Sequence, residues 1–195
     1  MTYLFIDTAA SRLIISIVKN MEMIYYIEEK NDKTLSSRIM SIVDNAFKES
    51  NIKPNDIDTI FVVTGPGSFT GIRVGVTIAK TFGWSLNKKI IPLSELELMA
   101  TINVDTDYIV PIIDARRGYV FGGVYNRNLN NIIPDTHILL ADLKKQIPDN
   151  STIVEEGKVD ILKIIDKYKD FEGINPHVLK SNYLKQTEAE ENLSK

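Results

Sequence analysis

The chain has 195 residues, 23 Lys and Arg against 26 Asp and Glu, and a net charge of −3, with 44% apolar and 25% charged residues. That is an ordinary globular composition, which excludes a collagen, a wholly disordered chain and a strongly basic nucleic-acid coat. The absence of cysteine excludes a disulfide framework and a thiolate metal site.

The first third reads as strands. Tyr3, Leu4, Phe5 and Ile6 form a buried-strand run closed by Asp7 and Thr8, Leu13 to Val18 is the next, and Met23 to Ile27 follows a turn at Asn20. Three strands with such short connections predict an antiparallel meander. Leu35, Ile39, Ile42, Val43, Ala46 and Phe47 then recur at helical spacing, with Thr34 as the expected cap and the segment around Pro54 as the stop. Thr59 to Thr64 is a strand beyond that helix, which favours parallel pairing in the same sheet.

Gly65 to Ser68 is a turn, and Thr70 to Leu86 is expected to be helical despite Gly71, Gly75 and Gly83. Lys89 to Pro92 is a short strand, and Ser94 and Glu97 have capping-box spacing. The apolar pattern lapses between Asn103 and Thr106, which suggests halves at 1–103 and 104–195. In the second half, strands are expected at Tyr108 to Ile113 and Tyr119 to Tyr125, separated by the turn Asp114 to Gly118. Weaker signals follow at Ile138 to Leu140 and Thr152 to Val154, with helices near 142–147 and at Val159 to Tyr168. The polar end after Gln186 is expected to fray. No run approaches the roughly 20 apolar residues of a membrane helix. The short apolar start, broken by Asp7, has no basic segment of a secretion signal. A soluble, cytoplasmic protein without a membrane partner is expected.

Val62 to Gly75 is the richest stretch: a strand, a glycine-rich turn and a helix, whose amides suit an anion. Asp7, Thr8, Gly65, Gly67 and Ser68 are the candidate residues of a vestigial phosphate loop. Gly71 is nevertheless followed by Ile72 and Arg73 rather than by Lys and Ser or Thr, and the glycines miss the dinucleotide spacing. Gly67, Gly71, Gly75, Ala79 and Gly83 recur every fourth residue, although each helical glycine costs about 1 kcal/mol against alanine. Such a row serves close backbone approach, either to the domain's own sheet, which spacing alone favours, or to a helix of another subunit. His137 and His177 are too far apart for a helical metal pair and are expected at the surface or in loops. No serine sits in a Gly-x-Ser-x-Gly elbow. Asp114, Arg116 and Arg117 form a charged turn suited to phosphate, a candidate tRNA or nucleotide contact, and with Lys144, Lys145, Lys180 and Lys185 it suggests a basic patch.

The segment Gly65-Pro66-Gly67-Ser68-Phe69-Thr70-Gly71-Ile72-Arg73-Val74-Gly75 closely resembles the signature of the TsaB (YeaZ) family of tRNA threonylcarbamoyladenosine biosynthesis proteins. Ile112 to Gly118 resembles the family's second motif, with Tyr119 in place of Glu. Phe5 to Thr8, Ser36 to Met40 (without the family's His), Pro92 to Leu96 and Tyr183 to Lys185 resemble weaker segments in the same order. The resemblance implies the actin-like, sugar-kinase and Hsp70-like ATPase fold, an α/β architecture of two similar halves, the second degenerate. It implies a non-catalytic subunit that scaffolds a TsaD-like catalytic partner, with a TsaE-like ATPase, ATP and Mg used by the complex, tRNA reached through the complex, and a homodimer when alone. No cofactor or metal is expected on this chain. The partner surface is expected on the helices of the first half, with Leu35, Ile39, Val43, Phe47, Gly71, Gly75 and Ala79 at the interface. The alternative is a small ATP-dependent phosphotransferase of the same fold, with Asp7 holding Mg²⁺ and Asp114 as general base.

Overall fold

The computed structural model describes residues 1–31 and 34–185. The end after Gln186 lies outside the described residues. The chain divides into two compact units: Met1–Glu95 with Ile161–Ser181, and Leu96–Asp160 with the segment that begins at Asn182. A single boundary at residue 103 does not describe this division, because 161–181 returns to the first unit.

The first unit is built on β1 (Thr2–Asp7), β2 (Arg12–Lys19), β3 (Glu22–Lys30), β4 (Thr59–Val63) and β5 (Lys89–Leu93), in the order β3-β2-β1-β4-β5. The meander β1–β2–β3 is antiparallel, while β1 with β4 and β4 with β5 are parallel. β1 is central, so every residue from Thr2 to Asp7 is buried and the strand reads as a continuous apolar run. β3 runs on to Lys30 past the expected Ile27. Its polar end, Glu28 to Lys30, pairs with Ile14, Leu13 and Arg12 on the free edge of the sheet, where polar side chains are tolerated.

Helix α1 (Leu35–Ser50) buries Leu35, Ile39, Ile42, Val43, Ala46 and Phe47 and ends on Asn51, whose φ of 54° is left-handed. Thr34 does not cap it by a side-chain bond. Its hydroxyl instead accepts from Arg38 Nε at 2.9 Å. Helix α2 (Phe69–Ser85) starts one residue before the expected Thr70, because Ser68 caps it and accepts from the Gly71 amide at 3.3 Å. The returning segment docks on α2 and β5: Ile90 and Ile174 exchange both backbone bonds, at 3.1 and 2.8 Å. A Cβ on Gly83 would stand 2.7 Å from the Pro176 ring. Helix α3 (Glu95–Met99) begins at the end of this unit.

The second unit repeats the first in reduced form. β6 (Tyr108–Asp114), β7 (Tyr119–Asn126), β8 (Asn131–Leu139) and β9 (Ser151–Val154) take the order β8-β7-β6-β9, with β6–β7–β8 antiparallel and β6 parallel to β9. This is the β3-β2-β1-β4 part of the first sheet. Among the described residues it has no equivalent of β5, and the helix in the place of α1 shrinks to α4 (Leu140–Leu143). Two sheets of one topology, the second truncated, are what the actin-like fold with a degenerate second half requires. Val110, Ile112, Val120, Val124 and Leu143 form the core of this unit. The sequence signal for β8 covers only its end, since Pro134 and four polar residues break the apolar pattern; an edge strand accepts both. Helix α5 (Ile161–Tyr168) buries Ile161, Ile164 and Ile165 and belongs to the first unit.

Candidate functional site

Three places carry chemistry. The first is the end of β1. Asp7 is fully buried, and its Oδ1 accepts the Ala9 amide at 2.9 Å. Arg12, on the neighbouring strand, lies 3.8 Å from Asp7 Oδ2 through Nε and 3.2 Å from Glu95 Oε1 through Nη2. Glu95 is fully buried as well. One guanidinium thus faces two buried carboxyls, and neither Asp7 Oδ2 nor Glu95 Oε2 accepts a hydrogen bond. Burial pushes Asp7 up to about 6, against the Ala9 amide and the Arg12 charge. Burial and then the Asp7 charge push Glu95 well above the usual carboxylate range, so Glu95 is the carboxyl of the pair that keeps its proton. Glu28 on β3 adds a further negative field at Asp7 and accepts the Tyr26 hydroxyl.

This arrangement does not fit Mg²⁺ and phosphate. The cation at Asp7 is already Arg12, and three of the amides at this joint are spent internally. Ala9 N–H goes to Asp7, Ser68 N–H to Ala9 O at 2.7 Å and Gly71 N–H to Ser68 Oγ. The Gly65 carbonyl accepts the Glu95 amide at 3.0 Å, and the Thr8 hydroxyl donates to Gly71 O at 2.7 Å. The expected vestigial phosphate loop of Asp7, Thr8, Gly65, Gly67 and Ser68 forms a packing joint between the β1 turn and α2. Sequence reasoning missed Glu95 and Arg12, 83 positions apart. The available signal was a charged pair flanking otherwise apolar strand ends.

The second place is the pair of long helices. Leu35, Ile39, Val43 and Phe47 face the unit's own sheet and are all less than 9% exposed, as is Ala79. A Cβ on Gly71 would collide with the Thr8 backbone oxygen, and one on Gly75 with the Thr8 hydroxyl. The small residues therefore face β1, not a partner, which corrects the expected interface. The outward side is different. Ser36, Met40, Phe69, Thr70, Arg73, Val74, Thr77 and Thr81, with edges of Ile39, Ile78 and Phe82, line a groove of about 560 Å³. Met40 is 53% and Phe69 41% exposed, and the Arg73 guanidinium lies 4.0 Å from the Phe69 ring centroid. The helical period of apolar residues shows only the buried stripe; this amphipathic rim of threonines has no apolar period to reveal it.

The third place is the β6–β7 turn. Asp114, Arg116 and Arg117 are exposed. Asp114 Oδ1 accepts the Arg116 amide at 2.9 Å. His137 is not a loop residue: it lies in β8 and stacks on Tyr119 at 4.8 Å. Among the described residues no group of three or more His, Asp and Glu is placed to hold a metal ion, and no helix is long and apolar enough to cross a membrane.

Residues 28–181 match the family model described as TsaD, tRNA N6-adenosine threonylcarbamoyltransferase. The chain is 39% identical over 146 residues to the tRNA threonylcarbamoyladenosine biosynthesis protein TsaB of Bacillus subtilis, covering 73% of this chain and 64% of that relative. It is therefore matched over less than two thirds of the relative's length. A 59-residue stretch, 30% of this chain and 17% of the relative, is 41% identical to a tRNA N6-adenosine threonylcarbamoyltransferase of Chlorobaculum tepidum. Among solved structures, YeaZ from Pseudomonas aeruginosa superposes with a TM-score of 0.76 at 16% identity, over 94% of this chain and 99% of that one. At that identity the likeness speaks to the fold.

Proposed function

The chain belongs to the TsaB family, and on that premise we propose that it serves tRNA threonylcarbamoyladenosine synthesis as the non-catalytic partner of a TsaD-like subunit. The observation that carries this is the groove on the outward side of α1 and α2, which leaves Met40 and Phe69 exposed beside Arg73. The TsaD-like occupant is argued from shared architecture, since part of this chain is similar to a threonylcarbamoyltransferase itself. Two chains of one fold can pair through equivalent helices, each offering a partly apolar face to the other. In this reading the TsaD-like subunit moves the threonylcarbamoyl group from its adenylate to the adenosine beside the anticodon. This chain contributes a docking face and a rigid frame, and a TsaE-like ATPase joins the assembly. Alone, it closes the groove against a second copy.

Val74 is half-buried in the groove. Val74→Arg puts an unpaired charge into the desolvated contact, where such a charge costs about 1.4 kcal/mol or more, or at least tenfold in affinity. Size-exclusion chromatography with the TsaD-like subunit is expected to show lost pairing and an unchanged melting temperature. Full pairing by this variant sinks the assignment. Transfer assays with threonylcarbamoyl-adenylate and tRNA are expected to show no product from this chain alone and product from the pair.

The phosphotransferase alternative depends on Asp7 holding Mg²⁺. Arg12 and Glu95 occupy that carboxylate, which weighs against it. Titration calorimetry of the chain with Mg-ATP is expected to give no micromolar binding, and such binding with substrate phosphorylation restores the alternative.

A further inference from the structure

Arg116, Arg117 and Gly118 lie consecutively at φ values of 67°, 53° and 78°. The turn is closed by Tyr119 N–H to Arg116 O at 3.0 Å and Ala115 N–H to Tyr119 O at 2.9 Å. Left-handed backbone suits Gly or Asn and is unfavourable for a long side chain. Two adjacent arginines in it are therefore not explained by the needs of the turn, and strain of this kind concentrates where a side chain has a job.

The other arginines have partners. Arg12 pairs with Asp7 and Glu95, Arg38 with Glu29, Arg127 with Asp105 and Asp107, and Arg73 covers the Phe69 ring. Arg116 and Arg117 make no ion pair among the described residues. The start of α4 is tied to the same turn by Leu140 N–H to Gly118 O at 2.9 Å, and Lys144, exposed at the end of α4, is likewise without an ion pair, whereas Lys145 is held by Asp142 at 2.7 Å. Beside the turn Tyr119 is 38% exposed. Its ring lies nearly parallel to His137, 4.8 Å away and at 15°, and His137 leans in turn on Phe121 at 5.4 Å.

We propose that this end of the second sheet is a contact surface for unpaired RNA, with Arg116, Arg117 and Lys144 taking phosphates and the ring of Tyr119, backed by His137, stacking on a base. Unpaired cations and a braced aromatic plane side by side match the two things a single strand offers, charge and base faces. An acidic protein surface would use the cations and leave the plane without a role. The proposal rests on the tRNA reading above for expecting RNA, but its test needs neither partner nor transfer activity.

The probe is a fluorescein-labelled RNA hairpin with an unpaired loop, read by anisotropy against the full chain, beside a paired duplex and poly-glutamate. Three phosphate contacts give a slope of log affinity on log salt of about −2. Arg116→Asn with Arg117→Asn is expected to lower hairpin affinity by tenfold or more and flatten the slope to about −0.7. Because Asn accepts left-handed backbone, the same variant is expected to melt no lower than the parent chain. Tyr119→Ala is expected to cost roughly tenfold on the hairpin and little on the duplex, and Tyr119→Phe to retain binding. No hairpin binding by the parent chain, unchanged binding by both variants, or equal binding of poly-glutamate with no effect of Tyr119→Ala overturns the proposal. If the variants lose the hairpin but pair normally with the TsaD-like subunit, the RNA surface stands apart from the docking groove. If pairing fails while hairpin binding holds, the docking reading is at fault and this one is not.

Discussion

Gly71→Leu and Gly75→Leu are expected to leave little folded protein, and what folds is expected to melt about 10 °C or more lower. Overfilling a packed core typically costs about 1–3 kcal/mol and sometimes more, and here even the first carbon of the new side chain meets the β1 turn. For a chain of this length each kcal/mol moves the melting point by about 2–4 °C. The gain of leucine over glycine in helix propensity, about 1 kcal/mol, does not offset this. The two sites differ in what they strike. Gly75 faces the Thr8 hydroxyl and Gly71 the Thr8 backbone oxygen. Thr8→Ala should therefore rescue Gly75→Ala in part and leave Gly71→Ala unrescued. Melting by circular dichroism of the four variants reads this out. A Gly75→Leu chain that melts like the parent and only fails to pair would return the glycine row to the subunit interface.

The same row shows how far the sequence reached. Its four-residue spacing announced a close approach, and the meander, parallel strand and two long helices followed from period and turn residues alone. What spacing does not encode is direction. One stripe of small residues reads alike whether it meets β1 or a foreign helix, and only the position of Thr8 decides. The outward groove left no trace because threonine and arginine alternate there with apolar residues. Likewise Asp7 was legible as a carboxyl at a strand end, but not as half of a pair. Its partners arrive from β2 and from the start of α3, and the parallel placement of β4 and β5 beside β1 is what brings Glu95 to it. β8 was nearly invisible, since an edge strand tolerates proline and polar residues that a central strand excludes.

Arg12→Met is expected to be the most damaging change outside the glycine row, because it leaves Asp7 and Glu95 buried without their cation. Removing one member of a buried ionic group costs about 3–5 kcal/mol. The loss should depend on pH in a definite direction. Asp7 sits at about 6 when folded against 3.8 when exposed, and Glu95 is raised well above its own 4.5. Between those values the folded chain holds protons that the unfolded chain has released. The stability that the pair contributes is therefore complete below about pH 4 and lost as the pH rises through 6 and beyond, by about 3 kcal/mol for a shift of the size at Asp7. Without Arg12 both carboxyls move higher still, so the Arg12→Met chain should regain part of its loss on going from pH 8 to pH 5. Glu95→Gln has the opposite signature. The amide is neutral like the protonated carboxyl and has no proton to give up, so this variant should match the parent chain near pH 5 and exceed it at pH 8. Denaturant midpoints for the three chains at both pH values test this. If the parent chain shows no change over that range and Glu95→Gln tracks it, Glu95 does not hold a proton in the folded chain, and the end of β1 is open to a different cation after all.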